Sequence, residues 1–206
     1  MEYSEAVQQR QSIKSYQPGR EINDAELKAL MQEVVLSPSS FNLQHWTFIA
    51  VRDKTIKDKI QQASWNQEQV GTCSVLLVIC GKLNAHQDAA EIYQSAPQEV
   101  QKMMVPKINK FYDGQEQSQR DEAIRSASLA AMTLMLSAQS RGWATVPMIG
   151  FDPEAICQLV HLKPNYIPVM LMPLGYKKDE PKPRAYRRPI EEVVRINTLD
   201  GAGLMG

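Results

Sequence analysis

Residues 124–141 constrain this chain most. At helical spacing, Ile124, Ala127, Leu129, Ala130, Met132, Leu134, Met135, Leu136 and Ala138 leave almost no polar face. A helix that is apolar nearly all round belongs in a core or a subunit interface. Gly142 follows as its C′ stop. A chain of 206 residues supplies one such core, so the reading is a single domain, 1–206. Residues 74–80 form a continuous apolar, β-branched run, which predicts a strand buried on both faces and ended by Gly81. Residues 167–174 predict a second buried strand. Trp46–Val51 predicts a third, and 144–148 a short one entering a Pro-Met-Ile-Gly turn. Helices are predicted over 4–9, 23–36 and 54–63, and after Asp152 with Pro153 at the first position. Asn23 is the N-cap of the second, Glu26 completes a capping box, and Ile22 with Leu27 forms the staple. Strands alternating with helices give an α/β or α+β class, with helices covering a sheet.

Between these elements, residues 83–119 are polar, and Pro97, Pro106 and Gly114 are expected to break them into helical pieces. They read as a peripheral insertion or lid. Beyond Pro189 a tail, 190–206, is long enough to reach a partner subunit, and its β-prone residues 193–196 are expected to add a strand there. Lys plus Arg and Asp plus Glu both number 23, and this zero net charge argues against a general nucleic-acid binder. The 43% apolar content is too high for a disordered chain. No run approaches the ~20 apolar residues of a membrane span. Residues 1–10 carry no apolar signal-peptide region, so the expected location is cytoplasmic. Cys73, Cys80 and Cys157 are odd in number and form no C-x-x-C; apolar neighbours make them buried free thiols. His45, His86 and His161 share no metal-ligand spacing, so no metal site is expected.

The glycine-rich phosphate loops and the common zinc and serine-nucleophile motifs are absent. What remains is a set of polar clusters: Arg10-Gln11-Ser12-Ile13-Lys14; residues 37–46, Ser-Pro-Ser-Ser-Phe-Asn-Leu-Gln-His-Trp; residues 65–69, Trp-Asn-Gln-Glu-Gln; Pro147-Met148-Ile149-Gly150; and a basic run with Lys182, Arg184, Arg187 and Arg188. Arg10, Lys14, Arg184, Arg187 and Arg188 are charge-assisted donors suited to clamping a phosphate from two chain ends. The hydroxyls and amide of the second cluster suit a polyol, and the backbone N–H groups of the 147–150 turn suit a planar ligand. Each cluster taken singly is equally an ordinary surface or turn.

Together and in this order, the clusters resemble the FMN-dependent nitroreductase family. Its R-[RH]-S-x-[RK] pattern stands as Arg10-Gln11-Ser12-Ile13-Lys14. Its S-P-S-S-x-N-x-Q-P-W stands as residues 37–46, with Asn42, Gln44 and Trp46 in place. Its P-x-x-G-F turn stands as Pro147, Gly150 and Phe151, and its late basic element as Arg187-Arg188-Pro189. The resemblance spans residues 10–194 and implies an α+β fold, with a central, mostly antiparallel sheet flanked by helices. It implies an intertwined homodimer with exchanged terminal segments and two FMN sites between subunits, NAD(P)H as co-substrate, and a small-molecule electron acceptor.

Position by position, the resemblance implies that Arg10, Gln11, Ser12 and Lys14 contact the FMN phosphate, ribityl chain and ring edge. Arg187, with Arg184 or Arg188, holds the phosphate. Pro38, Ser39, Ser40 and Asn42 approach from the other subunit. Asn66 and Gln69 face the pyrimidine edge, and Pro147, Met148, Ile149 and Gly150 form the turn whose backbone points to N5 and O4. Hydride passes from the nicotinamide to N5 and on to a nitroaromatic, quinone or flavin in ping-pong fashion. No side-chain acid or base is required, and Lys14 is the electrostatic candidate. Four positions depart from the family pattern: Gln11 for a second basic residue, His45 for Pro, Gln69 for a Lys of some members, and Ile149 for their Glu. Two alternatives stand beside this reading: the same fold with other flavin chemistry (flavin reductase, dehalogenase or dehydrogenase), and a non-catalytic FMN-binding dimer. Met103, Met104, Phe111 and Tyr112 of the 83–119 span are candidate walls of an aromatic-accepting cavity.

Overall fold

The computed structural model describes residues 1–204; the last two residues of the expected tail lie outside the described residues. In chain order the helices are α1 (Tyr3–Gln9), α2 (Asp24–Val34), α3 (Lys54–Ala63), α4 (Glu68–Thr72), α5 (Ala89–Ile92), α6 (Gln98–Tyr112), α7 (Glu116–Ser140), α8 (Pro153–Leu159) and α9 (Ile190–Val193). The strands are β1 (Trp46–Val51), β2 (Val75–Lys82), β3 (Ala144–Thr145) and β4 (Tyr166–Gly175). They form one sheet in the order β1-β2-β4-β3, and each of the three neighbouring pairs is antiparallel. The fold is therefore α+β, as expected.

β2 is the central strand, and its alternation divides the core. Leu76, Val78 and Cys80 face one layer, where Ile60 of α3 and Ile156 of α8 pack. Val75, Leu77 and Ile79 face the other, against Leu30 and Val34 of α2 and Ala127, Ala130, Ala131 and Leu134 of α7. Successive side chains of a strand point to opposite faces, so both faces of β2 are dry and no polar residue fits there. The alanines of α7 let its backbone lie close to the sheet. A third cluster, formed by Leu43, Ala85, Ala89, Ile108 and Tyr112, holds the 83–113 segment on the body.

The capping box of α2 forms as expected: Glu26 N–H donates to Asn23 Oδ1 at 2.9 Å, and Asn23 N–H donates to Glu26 Oε2 at 2.8 Å. Asp152 caps α8 by accepting from Glu154 and Ala155 N–H. Cys73 and Cys80 are buried and Cys157 half-buried; burial pushes the Cys73 thiol up to about 11 and the Cys80 thiol up to about 12, so neither ionises readily.

Five boundaries differ from the sequence reading. Gly81 does not end β2; it pairs with Trp46 and Ile167, and the strand continues to Lys82. Its bare Cα serves another purpose: a Cβ there would lie 3.0 Å from both Cβ and O of Ala123, so glycine permits the close approach of α7 to the sheet. Pro106 lies inside α6 rather than breaking it. The helix tolerates the lost N–H because Ile108 and Tyr112 beyond it are anchored in the third cluster. α7 begins at Glu116, so the insertion ends at Gly114, whose φ of +71° supplies the turn. The continuous short strand expected over 144–148 is instead β3 with a separate bridge from Met148 to Leu171. In the tail, α9 takes up Val193, and 194–196 turns back on its own chain: Ile196 N–H donates to Ala202 O at 2.9 Å and Leu204 N–H to Val194 O at 3.0 Å. In a single chain these backbone groups find their partners locally.

Truncating Leu134, fully buried between α7 and the sheet, removes packing that neighbours cannot refill. Leu134→Ala is expected to lower unfolding free energy by about 2–5 kcal/mol, read as a shifted urea midpoint with unchanged slope.

Candidate functional site

Two segments far apart in sequence meet at the β3 edge of the sheet. Ser12 makes a parallel bridge to Thr145, and Ile13 N–H donates to Thr145 O at 3.1 Å. Tyr16 then pairs with Lys177, just after β4, and Lys178 N–H donates to Ser15 O at 3.0 Å. Ile13 and Tyr16 anchor this ribbon in the core, with Tyr16 Oη donating to Pro173 O at 3.1 Å. Their burial leaves the alternating Ser12 and Lys14 exposed.

Beside that ribbon lies a cavity of about 560 Å³, within the ~300–1,000 Å³ range of small-molecule sites. Arg10, Gln11, Ser12 and Lys14 line one wall; Asp179, Glu180, Lys182, Arg184 and Arg187 line the other. Arg184 Nη2 ties the walls together by donating to Gln8 O at 2.5 Å and Arg10 O at 2.8 Å. Arg187 donates to Ala185 O at 3.1 Å and Tyr186 O at 3.0 Å, folding over its own segment. Burial, and then repulsion from Arg184 and Arg187, push the Arg10 guanidinium below its usual pKa. The two carboxylates lining the cavity are already engaged: Asp179 accepts from Ser15 Oγ at 2.8 Å, and Glu180 pairs with Lys177 at 2.8 Å. With Arg10, Lys14, Lys182, Arg184 and Arg187 against these two carboxylates, positive charge is in surplus, and the donor set fits a phosphate dianion. Arg188 does not line the cavity.

A second assembly joins residues 64–69 to the turn after β3. Met148 bridges to Leu171. Gln67 Nε2 donates to Gly150 O at 3.0 Å, and Gln69 Nε2 donates to Gln67 Oε1 at 3.0 Å, 3.6 Å from Met148 Sδ. Gln69 is buried, whereas Asn66 and Pro147 are exposed. Trp65 and Asn66 take left-handed backbone, φ 55° and 57°, and Trp65 lies over Gly150. A Cβ at Gly150 would come within 2.5 Å of Trp65 Cζ3, which explains the glycine. The Ile149 side chain is 82% exposed. Gln67 and Trp65 are residues the sequence reading left out of the site; their place in the same polar run as Asn66 and Gln69 was the available signal.

The third group stands apart. Pro38, Ser39, Ser40 and Asn42 do not line the cavity of their own chain. They form a turn against the 83–113 segment, with Ser40 Oγ and Tyr112 Oη 2.9 Å apart. Phe111 is exposed, and its ring meets Phe41 edge-on at 5.9 Å and Tyr112 at 4.8 Å. His45, in the place of the family's Pro, is 2% exposed, and its Nδ1 has no hydrogen-bond partner. Burial lowers its pKa to about 4; Glu122 opposes this and His86 reinforces it. Among the described residues, no group of three or more His, Cys, Asp or Glu is placed to hold a metal, and no helix is long and apolar enough to cross a membrane.

The antiparallel sheet of this α+β fold thus carries an arginine-lined cavity on its edge. The chain belongs to the Nitroreductase family, which its residues 7–176 match. MhqN of Bacillus subtilis (strain 168), provisionally named an NAD(P)H nitroreductase, is 38% identical over 201 residues, covering 94% of this chain and 98% of MhqN. The crystal structure of ydfN from Bacillus subtilis, also provisionally named a nitroreductase, superimposes with a TM-score of 0.91 at 38% identity, covering 94% of this chain and 98% of that one. A provisionally named nitroreductase from Exiguobacterium sibiricum 255-15, solved in complex with FMN, gives 0.90 at 30% identity, covering 96% and 98%.

The buried His45 makes stability depend on pH. Its folded pKa of about 4 lies below the ~6.5 of an unfolded chain, so between those values only the unfolded chain binds the proton. Stability therefore falls as pH drops from ~6.5 to ~4, by about 3 kcal/mol from this group, and levels off below. In urea melts, His45→Leu is expected to flatten that slope relative to wild type; parallel slopes would refute the assignment.

Proposed function

We propose that this protein is an FMN-dependent oxidoreductase that takes hydride from NAD(P)H and passes it to an aromatic or quinone-like acceptor. The observation that carries this reading is the cavity where Arg10, Arg184 and Arg187 converge, with Lys14 and Lys182, against two carboxylates, Asp179 and Glu180. The FMN in the Exiguobacterium relative and the NAD(P)H nitroreductase name of MhqN support it.

In this reading Arg10, Arg184 and Arg187 hold the phosphate, while Arg188 lies outside the cavity lining. Gln11, Ser12 and Lys14 take the ribityl chain and ring edge. Asn66 and Gln69 orient the pyrimidine edge, with Gln67 fixing their loop to Gly150. In the Pro147-Met148-Ile149-Gly150 turn, where Met148 N–H is spent on Leu171 O, the backbone N–H groups of Ile149 and Gly150 donate towards N5 and O4. Pro38, Ser39, Ser40 and Asn42 complete the site from a second subunit. FMN held there would supply a hydride-accepting N5, reduced by the nicotinamide and reoxidised by the acceptor in alternating half-reactions. Lys14 supplies positive charge where the ring becomes anionic. The exposed Ile149 puts an apolar side chain, rather than a carboxylate, at the turn facing the reacting edge.

The working unit in this reading is a cytoplasmic homodimer. Leu129 and Met132 of α7 stay exposed in the single chain, and so do Tyr186, Ile190, Val193 and Leu199 along the tail. A second copy covers both, with 190–204 lying on the partner. Residues 83–114 form the wall that selects the acceptor.

Yellow protein bleached anaerobically by NADH or NADPH, then reoxidised by quinones or nitroaromatics, is the expected result. Yellow protein that does not bleach favours the non-catalytic FMN-binding dimer, and protein that takes up no FMN sinks the proposal. Arg187→Ala is expected to weaken FMN retention about tenfold or more, from the loss of one charge-assisted contact; unaltered flavin content in equilibrium dialysis removes Arg187 from the phosphate site. Gln69→Lys places a cation near the pyrimidine edge. It is expected to raise the flavin midpoint potential by on the order of tens of millivolts, and an unchanged or lower potential refutes Gln69's placement.

A further inference from the structure

The turn that carries Ser39, Ser40 and Asn42 is conformationally costly. Phe41, Asn42 and Gln44 all adopt left-handed backbone, with φ of 50°, 55° and 48°. None is glycine, and such residues stay left-handed only where their surroundings enforce it. Part of the enforcement is local. Asn42 N–H donates to Ser39 O at 3.1 Å, Leu43 N–H to Ser40 O at 3.0 Å, and Gln44 N–H to Ser39 Oγ at 3.0 Å.

The rest comes from the 83–113 segment. Tyr93 Oη donates to Phe41 O at 3.2 Å, and Tyr112 Oη shares a hydrogen bond with Ser40 Oγ at 2.9 Å. The Phe41 ring stands edge-on to the Tyr112 ring at 6.2 Å, and Leu43 is buried among Ala85, Ala89, Ile108 and Tyr112. Tyr112 is itself fixed: the His86 ring stacks on it at 5.7 Å and 25°, and Gln119 Nε2 donates to its carbonyl at 2.7 Å. Burial raises the Tyr112 phenol above its usual pKa, so the hydroxyl stays protonated.

We propose that Tyr112, supported by Tyr93, is a positioning residue: through Ser40 and Phe41 the 83–113 segment holds the left-handed turn in the shape that presents Ser39, Ser40 and Asn42 to the flavin. This rests on the FMN reading above and deepens it, because the segment then shapes the cofactor site as well as walling the acceptor. Substitutions in it act on flavin affinity through the turn, without touching the flavin.

The test compares wild type with Tyr112→Phe, Ser40→Ala, the double variant and Tyr93→Phe. Hydrogen exchange at the amides of residues 42–44 is measured in flavin-free protein, and the FMN dissociation constant by quenching of flavin fluorescence. Tyr112→Phe is expected to speed exchange at these amides about fivefold and to weaken FMN binding about fivefold, the worth of one hydrogen bond. In the exchange measurement Ser40→Ala should match it, and the double variant should do no more than either alone. Tyr93→Phe should speed exchange at the same amides by another route. Unchanged exchange in Tyr112→Phe overturns the proposal, and so do Tyr112→Phe and Ser40→Ala effects on exchange that multiply. Wild-type protein that binds no FMN overturns the flavin reading; the exchange measurement alone then decides whether Tyr112 holds the turn.

Discussion

Everything in this molecule is arranged around a strand that touches no water on either face. β2 carries only apolar side chains from Val75 to Cys80, and both of its backbone edges are paired, to β1 on one side and β4 on the other. An unpaired amide there would have no solvent to turn to, so the two antiparallel neighbours are obligatory. Both faces must also be roofed, by α2 and α7 on one and by α3 and α8 on the other. These covers displace function to the rim. The cavity accordingly sits where the sheet runs out, beside a two-residue β3 whose free edge is taken up by Ser12 and Ile13.

That rim is built from segments with little regular structure of their own. The N-terminal ribbon is positioned by two buried side chains and the edge of β3, and the post-β4 segment by Arg184 reaching back to the carbonyls of Gln8 and Arg10. Three guanidiniums thus converge through backbone contacts, without carboxylates to hold them. Such a site is electrostatically poised: the chain's own geometry holds like charges together, and a dianion relieves the repulsion. Zero net charge over the whole chain conceals this, because 177–188 carries six basic residues against two acidic ones.

Much of the fold was legible because it follows from local rules. The Asn23 capping box, the Trp46–Val51 strand, the Asp152-Pro153 helix start and the doubly buried β2 all announce themselves in side-chain pattern. The errors occurred where tertiary contacts outweigh local preference. Gly81 looked like a stop, but Ala123 of α7 required its missing Cβ; Pro106 looked like a break, but Ile108 and Tyr112 beyond it anchor the helix in the third cluster. That basic residues near the two chain ends come together was legible in their clustering, and Arg10, Lys14, Arg184 and Arg187 do line one cavity. Gln67 was not legible, because its part depends on a hydrogen bond to Gly150, eighty-three residues away in sequence.

The three tryptophans sit in unequal surroundings. Trp46 and Trp143 are sealed in the core, while Trp65 lies 71% exposed over Gly150, at the turn read here as facing the isoalloxazine. The indoles therefore divide the molecule optically. An aqueous quencher reaches one and is shut out from two, so emission from Trp65 reports on the rim while the other two report on the integrity of the interior. The chain carries its own pair of spectroscopic probes, and occupancy and unfolding can be told apart in one emission spectrum without any label.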